Sequence, residues 1–336
     1  MENDFLAFRF PDREINAWTG ELTLNSLDNA KDSFVFSDFE AKKTYIFRKC
    51  NEVNLPFSFD YHVNDELPYC VTSREYILQA HSLLNAMNQL NIDKVVYSRI
   101  KKSEFSIHHA QDLFLKCCET YPKACIYLVS SSLIGTWIGA SPEILMEVHG
   151  NHLFTMSLAG TMKVDTQTEK TSDWGSKELH EQKVVTDFLV DVLKVNGAEN
   201  FEMNGPYDYT AGPVKHLRTD ISVSILNEKI PQLTKKIHPS PAVSGIPRET
   251  AIQIIESIEN HDRLLYCGFL GEIGENQTKL FVNLRCAQLQ AKSAYLYVGG
   301  GFTKDSIPEL ELDETENKAK TLLRCMHEVQ AKSASR

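Results

Sequence analysis

Four apolar segments follow one another closely in the middle of this chain: Cys125–Val129, Gly135–Gly139, Ile144–Val148 and His152–Met156. Each is too short for a stable helix, and only turn-length connections separate them. His149-Gly150-Asn151-His152 reads as a hairpin turn. Strands joined that tightly pair antiparallel, because a parallel neighbour needs a crossover of a dozen residues or more. This run excludes an all-helical chain and a strictly alternating parallel sheet.

The flanks add helices singly. Ser73 can cap a helix with Ile77, Leu84, Met87 and Leu90 at helical spacing. A strand follows at Lys94–Arg99. Longer helices are predicted at about 176–195, with the stripe Val185, Phe188, Leu189, Val192 and Leu193, and at about 247–260. Late strands are expected at Lys279–Gln288 and Ala294–Val298. A last helix starts near Ser306, where Ser306 and Glu309 suit a capping box and Pro308 suits the first turn. The reading is an α+β fold in one large domain with mainly antiparallel sheet. Residues 1–70 give only short strand-like pieces, such as Lys43–Phe47, and form its weakly defined N-terminal part. Residues 71–330 are the core, and 331–336 read as a frayed tail.

The formal charge of −10, from 35 Lys+Arg and 45 Asp+Glu, argues against nucleic acid or an anionic membrane as partner. No stretch has the roughly 18 apolar residues of a membrane span, and Met1–Pro11 lacks the basic start of a signal peptide. The eight cysteines contain no CxxC pair and sit mostly in apolar runs. They read as reduced core residues of a cytoplasmic protein.

Several charged residues stand where apolar ones are expected. Glu181 lies one helical turn before Val185 and shares its stripe. On the last helix Glu311, Glu314 and Lys318 form a row that continues into Leu322, Cys325 and Val329. Carboxylates on core-facing turns are costly unless paired or bound to a cation, so these acids suit a hard divalent ion. A plain Glu314–Lys318 salt bridge is the competing reading. Gly299, Gly300 and Gly301 offer backbone amides to an anion, or simply make a tight turn. Arg285 projects from the middle of a strand and suits a carboxylate ligand or a structural ion pair. Lys94 and Glu143 are either functional or ordinary surface charges.

Together these residues resemble the chorismate-utilising enzyme family. The matching segments run in order from about residue 70 to 330. They are Lys94–Arg99, Gly139–Glu143, Leu158–Thr161, Glu178–Glu181, His238–Arg248, Tyr266–Gly268, Val282–Arg285, Gly299–Gly301 and Glu311–Lys318. The resemblance implies two mainly antiparallel sheets packed together with helices outside. Within the family it is closest to isochorismate synthases. Aminating members usually carry Gln where this chain has Lys94. Aminodeoxychorismate synthases carry a nucleophilic Lys where it has Ala159, and Pro241–Arg248 looks like the hydroxylating members. Salicylate synthase is the alternative enzyme, and a non-catalytic chorismate sensor the alternative of another class.

The resemblance also implies roles. Water attacks C2 of chorismate while the C4 hydroxyl leaves and the ring double bonds shift. Lys94 takes the base role and Glu143, kept protonated by burial, the acid role. Glu181, Glu311 and Glu314 hold Mg²⁺. Arg285, the backbone of Gly299–Gly301 and Lys318 take the other carboxylate; Gly160 and Thr161 line the site, and His238 is either a further polar contact or only fixes its loop. Cys267 and Gln182 depart from the family pattern, in pocket shape and in the surroundings of the metal. No amidotransferase subunit is expected, and the resemblance favours a monomer. Menaquinone and catecholate siderophore synthesis both begin with the implied product.

Overall fold

The structure, a computed structural model, describes residues 4–163, 174–211 and 214–334. Its strands are β1 (Asp4–Arg9), β2 (Asn16–Asn25), β3 (Ser33–Ser37), β4 (Thr44–Glu52), β5 (Lys94–Glu104), β6 (Cys125–Ser131), β7 (Gly135–Ser141) and β8 (Ile144–His149), then β9 (His152–Lys163), β10 (Glu199–Ala211), β11 (Val214–Ser224), β12 (Gly245–Ile246), β13 (Phe269–Ile273), β14 (Gln277–Val282), β15 (Cys286–Gln290) and β16 (Ser293–Phe302). Its α-helices are α1 (Ser73–Leu90), α2 (Ala110–Thr120), α3 (Ser176–Val195), α4 (Ile230–Ile237), α5 (Arg248–Ile258) and α6 (Pro308–Ala334). Among the described residues no helix is long and apolar enough to cross a membrane.

The strands form one hydrogen-bonded ladder in the order β10-β11-β9-β8-β14-β13-β3-β4-β2-β1-β6-β7-β15-β16-β5-β12. The hairpins predicted between residues 125 and 156 are present as β6–β7 and β8–β9. The expected two packed layers are halves of this continuous sheet. Phe10, just after β1, stacks on Phe281 of β14 at 5.7 Å, and Phe36 of β3 meets Tyr127 of β6 edge-on at 5.6 Å. Strands far apart in the ladder therefore face each other across the core.

Strand alternation assigns the two faces. Leu6 and Phe8 of β1 point into that inner core, with Tyr127 and Val129 of β6. Phe5 and Ala7, with Ile126 and Leu128, point to the other side, where α2 and α6 cover them with Leu113, Phe114, Leu322 and Met326. Strands buried on both faces read as continuous apolar runs, which explains the composition of β6 and β7.

Several boundaries differ from the sequence expectation. The cap of α1 is Thr72 rather than Ser73: its hydroxyl accepts the Glu75 amide, and the Glu75 carboxylate accepts the Thr72 amide at 2.7 Å. The buried face of α1 is Tyr76, Ala80, Leu83 and Met87, while Leu90 is exposed. Ser306 makes no capping box with Glu309; its hydroxyl accepts the Thr303 amide at 3.0 Å. The last helix runs to Ala334, into the expected tail, whose final two residues lie outside the described ones. β1 to β4 sit in the middle of the ladder, so the weakly patterned N-terminal residues join its two halves.

The segment expected as one strand over Lys279–Gln288 is broken between β14 and β15. Asn283 is the cause. Its amide donates to Gly268 O at 2.7 Å and its carbonyl accepts from the Cys267 amide at 2.9 Å. Its side chain donates to Leu265 O at 2.8 Å and accepts from the Tyr127 hydroxyl at 2.9 Å. These bonds divert the backbone from the ladder, and Arg285 follows in the left-handed region with φ 50°.

Candidate active site

β5 and β16 pair so that Gly299, Gly300 and Gly301 lie opposite Ser98, Tyr97 and Val96. The three glycines are therefore strand residues, not a turn. Their role is steric. A Cβ on Gly300 would lie 3.3 Å from Glu311 Oε2 and 3.4 Å from Glu314 Oε1, and one on Gly301 would overlap Glu181 Oε1. Bare backbone here lets carboxylates from α3 and α6 settle on the sheet.

A cavity opens at this place. Glu143, Gly160, Thr161, Glu181, Arg285 and Lys318 line it together with the three glycines. Ala159, Tyr266 and Cys267 complete its wall. Lys94, Glu311 and Glu314 stand behind this lining. Lys94 Nζ lies 2.8 Å from Glu181 Oε1, with both side chains largely buried. Lys318 Nζ lies 2.6 Å from Glu314 and donates to Gly299 O at 2.9 Å. Thus all but one of the residues singled out in the sequence gather around one space.

The exception is His238. It is buried at the end of α4, where Nε2 meets Phe39 O at 3.0 Å and the ring packs edge-on against Phe269. Burial pulls it down to about 4, so it is neutral and serves to fix its loop. The structure does not bring it to the cavity.

Two site residues escaped the sequence reading. His216, on β11, lines the cavity. Its Nδ1 is 2.8 Å from Gly160 O and 3.3 Å from Thr161 Oγ1, and its Nε2 is 3.4 Å from an Arg285 nitrogen. Burial, with Arg285 and Lys318 nearby, pulls its pKa down to about 3. A neutral ring with its proton on Nδ1 donates to Gly160 O and leaves the Nε2 lone pair facing the guanidinium. The available signal was its inward position on an alternating strand. Lys177 is the second, one turn before Glu181 on α3. Its Nζ lies 2.6 Å from Glu311 Oε1.

Electrostatics separate the acids. Burial raises the Glu143 carboxyl to about 7, against the pull of Lys94, Arg285 and Lys318. Burial also raises Glu311, and repulsion from Glu314 adds to it. Burial pushes the Cys267 thiol up to about 12, so it faces the cavity as a neutral group. Gln182, next to Glu181, does not touch the carboxylates. Its side-chain nitrogen donates to Ser157 Oγ at 2.9 Å and Thr219 Oγ1 at 2.7 Å, tying α3 to β9 and β11 and fixing the roll of the helix.

Each of Glu181, Glu311 and Glu314 has a lysine partner. Among the described residues no three His, Cys, Asp or Glu side chains are close enough together to hold one ion. The donor chemistry still suits a hard cation: Glu311 and Glu314 lie together over Gly300 and repel each other, and Glu181 stands over the neighbouring Gly301.

A family model described as chorismate binding enzyme matches residues 22–327. The vibriobactin-specific isochorismate synthase of Vibrio cholerae is 29% identical over 195 residues, 55% of this chain and 49% of its own length. Isochorismate synthase EntC of Escherichia coli is 29% identical over 263 residues, 75% of this chain and 66% of its own. The chain thus spans half to two thirds of the length of these curated relatives. The solved structure of MenF, the menaquinone-specific isochorismate synthase of Escherichia coli, matches with a TM-score of 0.82 at 20% identity, over 97% of this chain and 89% of that one. That likeness bears on the fold. The family match runs from β2 into α6 and takes in every strand and helix that builds the cavity; the chain belongs to the chorismate binding enzyme family.

Proposed function

We propose that this chain is an isochorismate synthase, an isomerase that interconverts chorismate and isochorismate. The observation that carries the reading is the buried pair Lys94 and Glu143 at one small cavity. Glu143, at about 7, is half protonated near neutrality, as a general acid requires. Lys94 Nζ takes a proton from water as its oxygen bonds to C2. The ring double bonds shift, the C4–O bond breaks, and Glu143 gives its proton to the leaving hydroxyl. Water is the nucleophile because Ala159 leaves room where a lysine would compete. Arg285, oriented by neutral His216, takes one substrate carboxylate with Lys318, and Gly160 and Thr161 complete that wall.

Glu181, Glu311 and Glu314 are the residues that would hold Mg²⁺. When bound, the ion supplies fixed positive charge for the second substrate carboxylate. All eight cysteines are free, which supports a reducing, cytoplasmic setting. We further propose that the chain acts as a monomer and needs no ammonia-supplying subunit.

The test is to incubate purified protein with chorismate and Mg²⁺ and separate the products by chromatography. Isochorismate as main product is expected. Salicylate with pyruvate would show a salicylate synthase instead, and tight chorismate binding without turnover would show a sensor. Either outcome overturns the reading.

A further inference from the structure

The carboxylates over Gly300 and Gly301 are matched one to one by lysine side chains: Lys94 with Glu181, Lys177 with Glu311, Lys318 with Glu314. The three lysines are not equivalent. The Lys94 side chain is 3% exposed, and Lys318 is 14% exposed with a second bond to Gly299 O. Lys177 is 28% exposed and sits in the first turn of α3, with water within reach. Glu311 acts most strongly on its charge, and Glu181 and Glu314 act on it too. Its ammonium thus lies where a shared cation belongs, held by Glu311, whose side chain is 3% exposed.

Resting on the metal reading above, we propose that the Lys177 ammonium stands in for the divalent ion in the metal-free chain and swings out to solvent when the ion binds, so that Lys177 sets the metal affinity of the site. The stand-in keeps a buried acid cluster neutral while the site waits for metal. It also competes with that metal, because Glu311 Oε1 cannot serve both. Lys177 is here a positioning residue that holds Glu311 in place; it is given no part in the chemistry.

The test is calorimetric titration of MgCl₂ into the full chain without chorismate, at fixed pH and ionic strength. Wild type, Lys177→Met and Lys177→Arg are compared. Lys177→Met is expected to bind Mg²⁺ about tenfold more tightly or better, the usual effect of removing one like charge at ion-pair distance, and Lys177→Arg to stay near wild type. Binding by Lys177→Met that equals or falls below wild type overturns the stand-in and leaves the metal reading intact. No Mg²⁺ binding by any of the three chains overturns both. Should Lys177→Met be unfolded without metal, its melting curve decides: a larger Mg²⁺-induced rise in Tm than wild type supports the stand-in, and no rise overturns it.

Discussion

Glu143 and His216 share one cavity, and burial drives both toward the neutral form, the acid up to about 7 and the imidazole down to about 3. For Glu143 this has a cost with a definite sign. Its folded pKa lies above the ordinary 4.5, so the folded chain holds the proton that the unfolded chain releases. Stability therefore falls as pH rises from about 4.5 to about 7, relative to a chain without this carboxyl. Glu143→Gln is expected to melt progressively higher than wild type across that window, by on the order of 1–3 kcal/mol at its upper end, while losing turnover. Denaturant titrations at several pH values check it. Lys94→Ala is expected to lower kcat by about 10²-fold or more, the usual contribution of a general base. Near-normal turnover would remove Lys94 from that role. The roles of His216 and Lys177 could not be read from the sequence because their partners, Gly160 O and Glu311, are remote in the chain. Residue types at helical spacing were readable; contacts made only by the fold were not.

Among the elements, β16 shows how a strand can serve a site by what it lacks. Gly301→Ala would put a methyl group against Glu181 and within 3.0 Å of Lys94 Cε. The fold is expected to survive, since β16 keeps its pairing with β5, but the Lys94–Glu181 pair is forced apart. Assays should show activity down by about 10²-fold with a near-native circular dichroism spectrum, because angstrom-scale displacement of reacting groups has that effect. Short apolar runs with turn-length gaps made β6 to β9 legible, and the span of α3 matched its apolar stripe. The break at Asn283 was not legible, because its cause is a set of bonds to residues 265–268 and to Tyr127. An alternating pattern on both sides hid a backbone that turns away. Arg285 reaches the cavity through that break, at a left-handed φ, and not from mid-strand.

At the scale of the whole molecule, β3, β4, β2 and β1 bridge β13 to β6 and so hold the two halves of the ladder together. These residues carry the weakest pattern in the sequence although the fold places them centrally. Their hydrophobic periodicity is weak, and their stability comes from neighbours on both sides. A chain starting at residue 71 would expose the edges of β13 and β6. It is expected to aggregate, with no cooperative melting transition by calorimetry. Chelation belongs to this scale too, since Glu181 comes from α3 and Glu311 and Glu314 from α6. Treatment with EDTA is expected to abolish turnover and added Mg²⁺ to restore it. Activity that persists in EDTA would sink the metal reading.

The last helix has one more consequence. α6 supplies Glu311, Glu314 and Lys318 and covers the outer face of the sheet with Leu322 and Met326. Synthesis releases the chain from its N-terminus, so among the site residues these leave the ribosome last. A nascent chain that has already paired β5 with β16 still lacks the carboxylates and the lysine that face the glycines. Docking of α6 would thus close the core and complete the proposed catalytic centre in one event, and a nascent chain that still lacks α6 would lack the means to handle substrate.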